Sequence, residues 1–247
     1  MNLQFSGKHA LILGGSCDLA ISLAKQMIDA SLFPFLTYRS NAGQNHIKEE
    51  LNLSAGKYKT IYLDFGNRDS LNMLFLQIGS SLDFLVDFAQ GHFESLIASA
   101  DEDKIYRYFT ENISFRAEIL KRAGRAMLKN KRGRLVFISS SAARITNPGQ
   151  GFYAASKLAS EAIYRNLGLE LGERGITTVS IRPGYIDAGR GRLFLQASKK
   201  DILSKIPVKR ALSADEAAKT ILFYLSDISR GFNATEISLD GGLTAGK

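Results

Sequence analysis

A chain of 247 residues is long enough to bury the core of one ordinary domain, and 45% apolar with 23% charged residues exclude a disordered chain. No apolar run approaches the roughly 18 residues of a membrane span, and residues 1–10 lack the basic start and apolar middle of a signal peptide. The net charge of +8 suits an anionic partner, but no helix-turn-helix, zinc-finger or RNA-recognition signature accompanies it, so neither nucleic acid nor a membrane is expected.

The first apolar run, Ala10–Leu13, predicts a buried strand that ends in LGGSCDLA, Leu13–Ala20. Gly14 and Gly15 permit a tight turn against a phosphate, with Ser16 beside them, and a helix over about Leu19–Ser31 follows. Cys17, the single cysteine, excludes an intrachain disulfide and a cysteine-rich metal site, so a cytoplasmic protein without a metal is expected. Asp18 opens the helix, and its carboxylate is expected to turn back and cap free backbone N–H groups there. Further strands are predicted at Phe33–Tyr38, Lys59–Leu63, Phe84–Phe88, Leu135–Ile138, Thr178–Ile181 and Glu236–Leu239. Several are nearly continuous hydrophobes, as parallel strands covered on both faces require. Ser99–Glu102 and Ser213–Glu216 both match the capping box, and a helix is predicted over Tyr153–Gly172. Strand alternating with helix predicts one doubly wound α/β domain over residues 1–247, a parallel sheet of about seven strands flanked by helices.

In such a sheet ligands bind beyond the carboxyl ends of the strands. Gly14–Asp18, Arg39–Asn41, Asp64-Phe65, Ala89–Gly91, Ser139–Ser141 and Pro183–Asp187 are therefore expected to line one crevice. Tyr153 and Lys157 in YAASK stand four apart, on one helix face. A lysine cation near the phenol is expected to lower its pKa toward neutrality, which suits proton exchange with a substrate oxygen. Ser140 follows the strand Leu135–Ile138 and supplies a hydroxyl. Asn112 lies inside a predicted helix, where asparagine is a poor helix former and gains its place by a hydrogen bond. Pro183-Gly184 gives a fixed turn with an approachable backbone.

On the turn at Gly14, LDF at Leu63–Phe65, Asn112, ISSS at Ile138–Ser141, YAASK, RPGYI at Arg182–Ile186 and LDGG at Leu239–Gly242, the sequence resembles the short-chain dehydrogenase/reductase family over essentially its whole length. The resemblance implies a Rossmann-type fold and hydride transfer between a nicotinamide and a carbonyl or alcohol. Tyr153 would be the acid/base, Lys157 would lower its pKa and hold the nicotinamide ribose, Ser140 would position the substrate oxygen, and Asn112 would hold a water in the proton relay. The cofactor would meet Gly14, Gly15, Ser16, the Leu19 backbone, Arg39, Ser40, Asp64, Phe65, Ala89, Tyr153, Lys157, Pro183, Gly184 and Ile186. A homotetramer or homodimer is also implied, with small residues Ala154, Ala155, Ala159 and Ala162 suiting close helix approach.

Arg39 stands where NAD-preferring sites place an acid, and its planar fork suits a 2′-phosphate, so NADPH is expected over NADH. The sequence departs from the family pattern at Asp18 and Ala20, where glycines are usual, at Gln90, which replaces a glycine, and at Ala188, which replaces a threonine. Among relatives it is most similar to bacterial 3-oxoacyl-acyl-carrier-protein reductases, on Gly172–Ile186 and Ile206–Asp227. That similarity implies a thioester substrate on an acidic carrier, with Lys131 and Arg174 as docking candidates. A mobile lid at about 187–212 is expected to select the substrate. Two alternatives stay open: a carbonyl, sugar or polyol dehydrogenase of the same family, and a non-catalytic member acting as a binding protein. An enoyl reductase is disfavoured because that relative separates its tyrosine and lysine more widely.

Overall fold

The computed structural model describes residues 3–79 and 81–245. Seven strands form one wholly parallel sheet in the order β3-β2-β1-β4-β5-β6-β7: β1 (His9–Leu13), β2 (Phe33–Tyr38), β3 (Lys59–Tyr62), β4 (Phe84–Asp87), β5 (Gly133–Ile138), β6 (Ile176–Pro183) and β7 (Thr235–Leu239). Each expected strand is present, with ends shifted by at most two residues. Eight α-helices connect or follow them: α1 (Asp18–Asp29), α2 (Asn41–Glu50), α3 (Arg68–Ile78), α4 (Glu102–Phe109), α5 (Phe115–Asn130), α6 (Gly151–Leu171), α7 (Gly189–Lys205) and α8 (Ala214–Leu225). A π-helical turn, Thr110–Ser114, joins α4 to α5.

The near-continuous hydrophobes of the strands serve two cores, because successive side chains point to opposite faces. Ala10, Ile12, Leu36, Val86, Val136 and Val179 pack with α1 and α8 on one face. Leu11, Leu13, Phe35, Leu85, Leu135 and Phe137 pack with α3, α5 and α6 on the other. Strand order reverses between β1 and β4: β1 pairs with β2 on one side (His9 against Phe33) and with β4 on the other (Ala10 against Phe84). That reversal opens a crevice at the carboxyl tips.

Local capping follows the sequence in part. Ser213 Oγ accepts the Glu216 N–H at 3.0 Å, while the Glu216 carboxylate pairs with Arg210 at 2.6 Å instead of reaching back. The other expected box does not form: Asp101 caps α4 through the Lys104 N–H at 2.8 Å, and Ser99 lies in a preceding 3-10 turn. An aspartate directly before the helix outcompetes a serine two residues further out. Among the described residues no helix is long and apolar enough to cross a membrane, and no His/Cys/Asp/Glu cluster suits a metal ion.

Candidate active site

Helix α6 opens at Gly151, which puts Tyr153 in its first turn and Lys157 one turn further on, with the buried face continuing through Ser160, Glu161 and Tyr164. The β5 tip delivers Ser140, whose Oγ accepts the Ala142 N–H at 3.1 Å and lies close enough to the Tyr153 phenol to favour its ionised form. Lys157 is buried; its Nζ donates to the Ile138 carbonyl at 2.7 Å and lies 4.8 Å from the Phe137 ring centre and 5.8 Å from that of Tyr153.

The electrostatics reverse the expected division of labour. Burial pushes the Tyr153 phenol above its ordinary pKa, while the Ser140 hydroxyl and the charge of Arg190 pull it back. It is Lys157 that is strongly perturbed: burial, then the neighbouring Arg116, lowers its amine to about 7. Desolvation of the ammonium in this tight pocket outweighs the acids around it. Because folding favours the neutral amine, this group costs stability as pH falls from its unfolded pKa of about 10.4. The cost grows down to about pH 7 and is constant below. Lys157→Met, which keeps the packed stem, is expected to raise the thermal midpoint at neutral pH by roughly 5 °C, read by thermal denaturation.

Asn112 lies in the π-helical turn and is 2% exposed. Its Oδ1 accepts the Gly91 N–H at 2.8 Å, its Nδ2 donates to the Tyr108 carbonyl at 2.8 Å, and its own carbonyl accepts from Arg116. Asn112 thus braces the wall behind Gly91 and does not line the cavity. Gln90 donates through Nε2 to the Tyr108 hydroxyl at 2.7 Å and to Ser156 Oγ at 3.0 Å, leaving Oε1 buried without a partner.

A cavity of about 690 Å³ opens over the tips of β4, β5 and β6 beneath α7. It brings together Ser140, Tyr153, Lys157, Pro183, Gly184 and Ile186 of the expected site. The remaining expected residues do not line it: Gly14, Gly15, Ser16, Leu19, Arg39, Ser40, Asp64, Phe65 and Ala89 sit at or just beyond the tips of β1 to β4. Among them Gly14 (φ +69) turns so closely under Ala89 that a Cβ would lie 2.9 Å from its nitrogen. Ser40 Oγ caps α2 by accepting the Gly43 N–H at 3.2 Å, and Arg39 is exposed.

Asp18 joins the two sides. It does not cap its own helix, whose N-cap, Cys17, makes no side-chain bond. Instead Asp18 Oδ2 accepts the Gly189 N–H at 3.0 Å, at the start of α7, with Oδ1 3.5 Å from His46 Nε2. The carboxylate, in the first turn of α1, thereby also meets the positive end of α7. The segment expected to form a lid is largely the helix α7, kinked at Ser198, with Arg190, Leu193 and Phe194 lining the cavity.

The residues present fit a nicotinamide by the chemistry of their donor set: the hydroxyls of Ser140 and Tyr153 and the amine of Lys157 line one cavity. The docking candidates Lys131 and Arg174 fall elsewhere: they precede β5 and β6, at the sheet edge opposite the cavity. A six-residue strand separates the two edges, roughly 20 Å. Sequence reading missed the buried pair Arg116–Asp87, 2.7 Å apart, and the lid cation Arg190, 3.3 Å from His92. An acid at the tip of an apolar strand was the available signal, since such a charge needs a cation.

A doubly wound sheet with a hydroxyl, a phenol and an amine gathered over its switch-point tips defines an NAD(P)-dependent oxidoreductase acting on CH–OH donors. A family model described as enoyl-(acyl carrier protein) reductase matches residues 18–244, and the chain belongs to the short-chain dehydrogenase/reductase family. It is 28% identical over 247 residues to a 3-oxoacyl-acyl-carrier-protein reductase of Pseudomonas aeruginosa, covering 98% of this chain and 99% of that one. It is 27% identical over 240 residues to the Haemophilus influenzae protein of the same name, covering 96% and 98%. A solved short-chain type dehydrogenase/reductase from Mycobacterium ulcerans superposes with a TM-score of 0.90 over 98% of this chain and 91% of that one, and its 24% identity shows the fold alone.

Proposed function

We propose that the chain is an NADPH-dependent reductase of 3-oxoacyl thioesters, with Tyr153 as the proton donor. The observation that carries this reading is the meeting of Ser140, Tyr153 and Lys157 in one cavity. The names of the relatives support the substrate class. A bound reduced nicotinamide supplies hydride to the carbonyl carbon. Ser140 Oγ and the Tyr153 hydroxyl, which line the same cavity, together grip the carbonyl oxygen, and Tyr153 delivers its proton there as negative charge develops. Lys157 holds positive charge near the phenolate that results, and Pro183, Gly184 and Ile186 form the wall against which the nicotinamide half would lie. Gly14, Gly15, Ser16, Leu19, Asp64, Phe65 and Ala89 would hold the nucleotide half.

Arg39 and Ser40 at the β2 tip would receive the 2′-phosphate. Glu111 is the acid whose carboxyl feels Arg39, and it leaves the guanidinium exposed. Arg39→Asp is expected to weaken NADPH by about 50- to 100-fold through lost attraction and new repulsion, with NADH changed less than about threefold. Fluorescence titration with both nucleotides reads this; an equal loss for both contradicts the assignment.

Docking of an acidic carrier at Lys131 and Arg174 serves a cavity only in an assembly, where another copy brings its cavity toward that edge. The outward face of α6 supports such an assembly as a homotetramer or homodimer, with Leu158 45% exposed between the small residues Ala155 and Ala162. A cytoplasmic address goes with this reading. The description of the matching family model favours one second reading, enoyl thioester reduction. Offering 3-oxoacyl and enoyl thioesters to the same preparation with NADPH separates them.

A further inference from the structure

Beneath the cavity lies a cation with no part in the proposed reaction. Arg116, on α5, is fully buried. Its Nε donates to Asp87 Oδ2 at 2.7 Å and its Nη1 to Ser160 Oγ at 2.9 Å. The guanidinium also donates to the Asn112 and Ala89 carbonyls. Its centre lies 5.2 Å from the Phe137 ring, whose centre is 4.8 Å from Lys157 Nζ. Asp87 is equally buried and accepts from Tyr164 Oη at 3.0 Å and from the Ala89 N–H at 3.0 Å. A buried ion pair is often no more stabilising than apolar residues of the same volume, so stability alone does not account for this one.

We infer that Arg116 is a positioning residue for Lys157: it occupies the Asn112 and Ala89 carbonyls, shares the Phe137 ring, and so leaves Lys157 the Ile138 carbonyl as its anchor beside Tyr153, over a permanent positive charge. The inference rests on the reading of Tyr153 and Lys157 as a working pair. Four elements turn charged groups toward Lys157: α5 with Arg116, the β4 tip with Asp87, α6 with Glu161, and α7 with Arg190. Glu161 is itself tied to Arg182 of β6 at 2.6 Å. Among these charges Arg116 acts most strongly and favours the neutral amine, ahead of Asp87, which opposes it. Lys157 therefore stays close to its protonation midpoint at neutral pH, able to take up or give back a proton as the phenol cycles.

The test is a pH titration of the Lys157 Cε resonance in carbon-13 lysine-labelled full-length protein without cofactor, the signal being assigned by its absence in Lys157→Arg. The wild type is expected to titrate near pH 7. Neutralising the pair as Asp87→Asn with Arg116→Gln is expected to move the midpoint up by about half a unit or more. Arg116→Lys, which keeps the charge and loses the forked bonds, should hold the midpoint while lowering kcat with little change in KM. A wild-type midpoint above about 9, in the ordinary lysine range, overturns the inference without recourse to any variant. So does an unchanged midpoint in the neutral pair with native melting. Absence of carbonyl reduction by a wild type whose Lys157 still titrates near 7 overturns the reductase reading instead.

Discussion

Tyr153→Phe is expected to lower kcat for carbonyl reduction by about 10³-fold, close to 4 kcal/mol of transition-state stabilisation. The loss follows from one atom. The ring stays packed in the first turn of α6, but the O–H beside Ser140 disappears, and with it the acid proposed to protonate the carbonyl oxygen. Lys157 does not take its place, because its amine is anchored on the Ile138 carbonyl. NADPH affinity should change less than about fivefold, since removing one hydroxyl forfeits at most one hydrogen bond, about 1 kcal/mol. Steady-state kinetics with a 3-oxoacyl thioester and a separate NADPH titration measure the two quantities. A kcat within tenfold of wild type rules out the proton-donor role.

The second large effect belongs to Asp18. A carboxylate about 6 Å from a phosphate charge costs roughly 3 kcal/mol at an effective dielectric near 20. The Gly189 N–H and His46 offset part of that. Asp18→Asn keeps a hydrogen-bond acceptor for Gly189 and removes the charge, so NADPH is expected to bind about tenfold more tightly, near 1.4 kcal/mol. Turnover should not rise in proportion, because the weaker Asn–Gly189 bond holds the lid helix less firmly over the cavity. Affinity unchanged or reduced in Asp18→Asn would mean that the carboxylate does not face the nucleotide phosphates.

The sheet was legible because its strands are apolar on both sides and end in turn residues, so the tips carrying Gly14, Ser140 and Pro183 followed directly. The spacing of Tyr153 and Lys157 placed them on one helix face for the same local reason. What escaped was decided at long range. Asp18 chose an N–H from a segment 171 residues away over those of its own helix, and no local rule sees that competition. The direction of the Lys157 amine depends on a β5 carbonyl, and its charge state on an arginine reached only through the fold. Lys131 and Arg174 are different: they precede their strands, so their place on the edge away from the cavity was already implied by strand direction. That inference was available from the sequence.

The most direct measurement is NADPH oxidation by the wild-type protein on addition of a 3-oxoacyl thioester, with the product identified by mass. The predicted result is one 3-hydroxyacyl thioester formed per NADPH consumed, with a matching enoyl thioester left untouched. Binding of NADPH without oxidation by any 3-oxoacyl thioester or simple ketone, or consumption of the enoyl thioester alone, contradicts it.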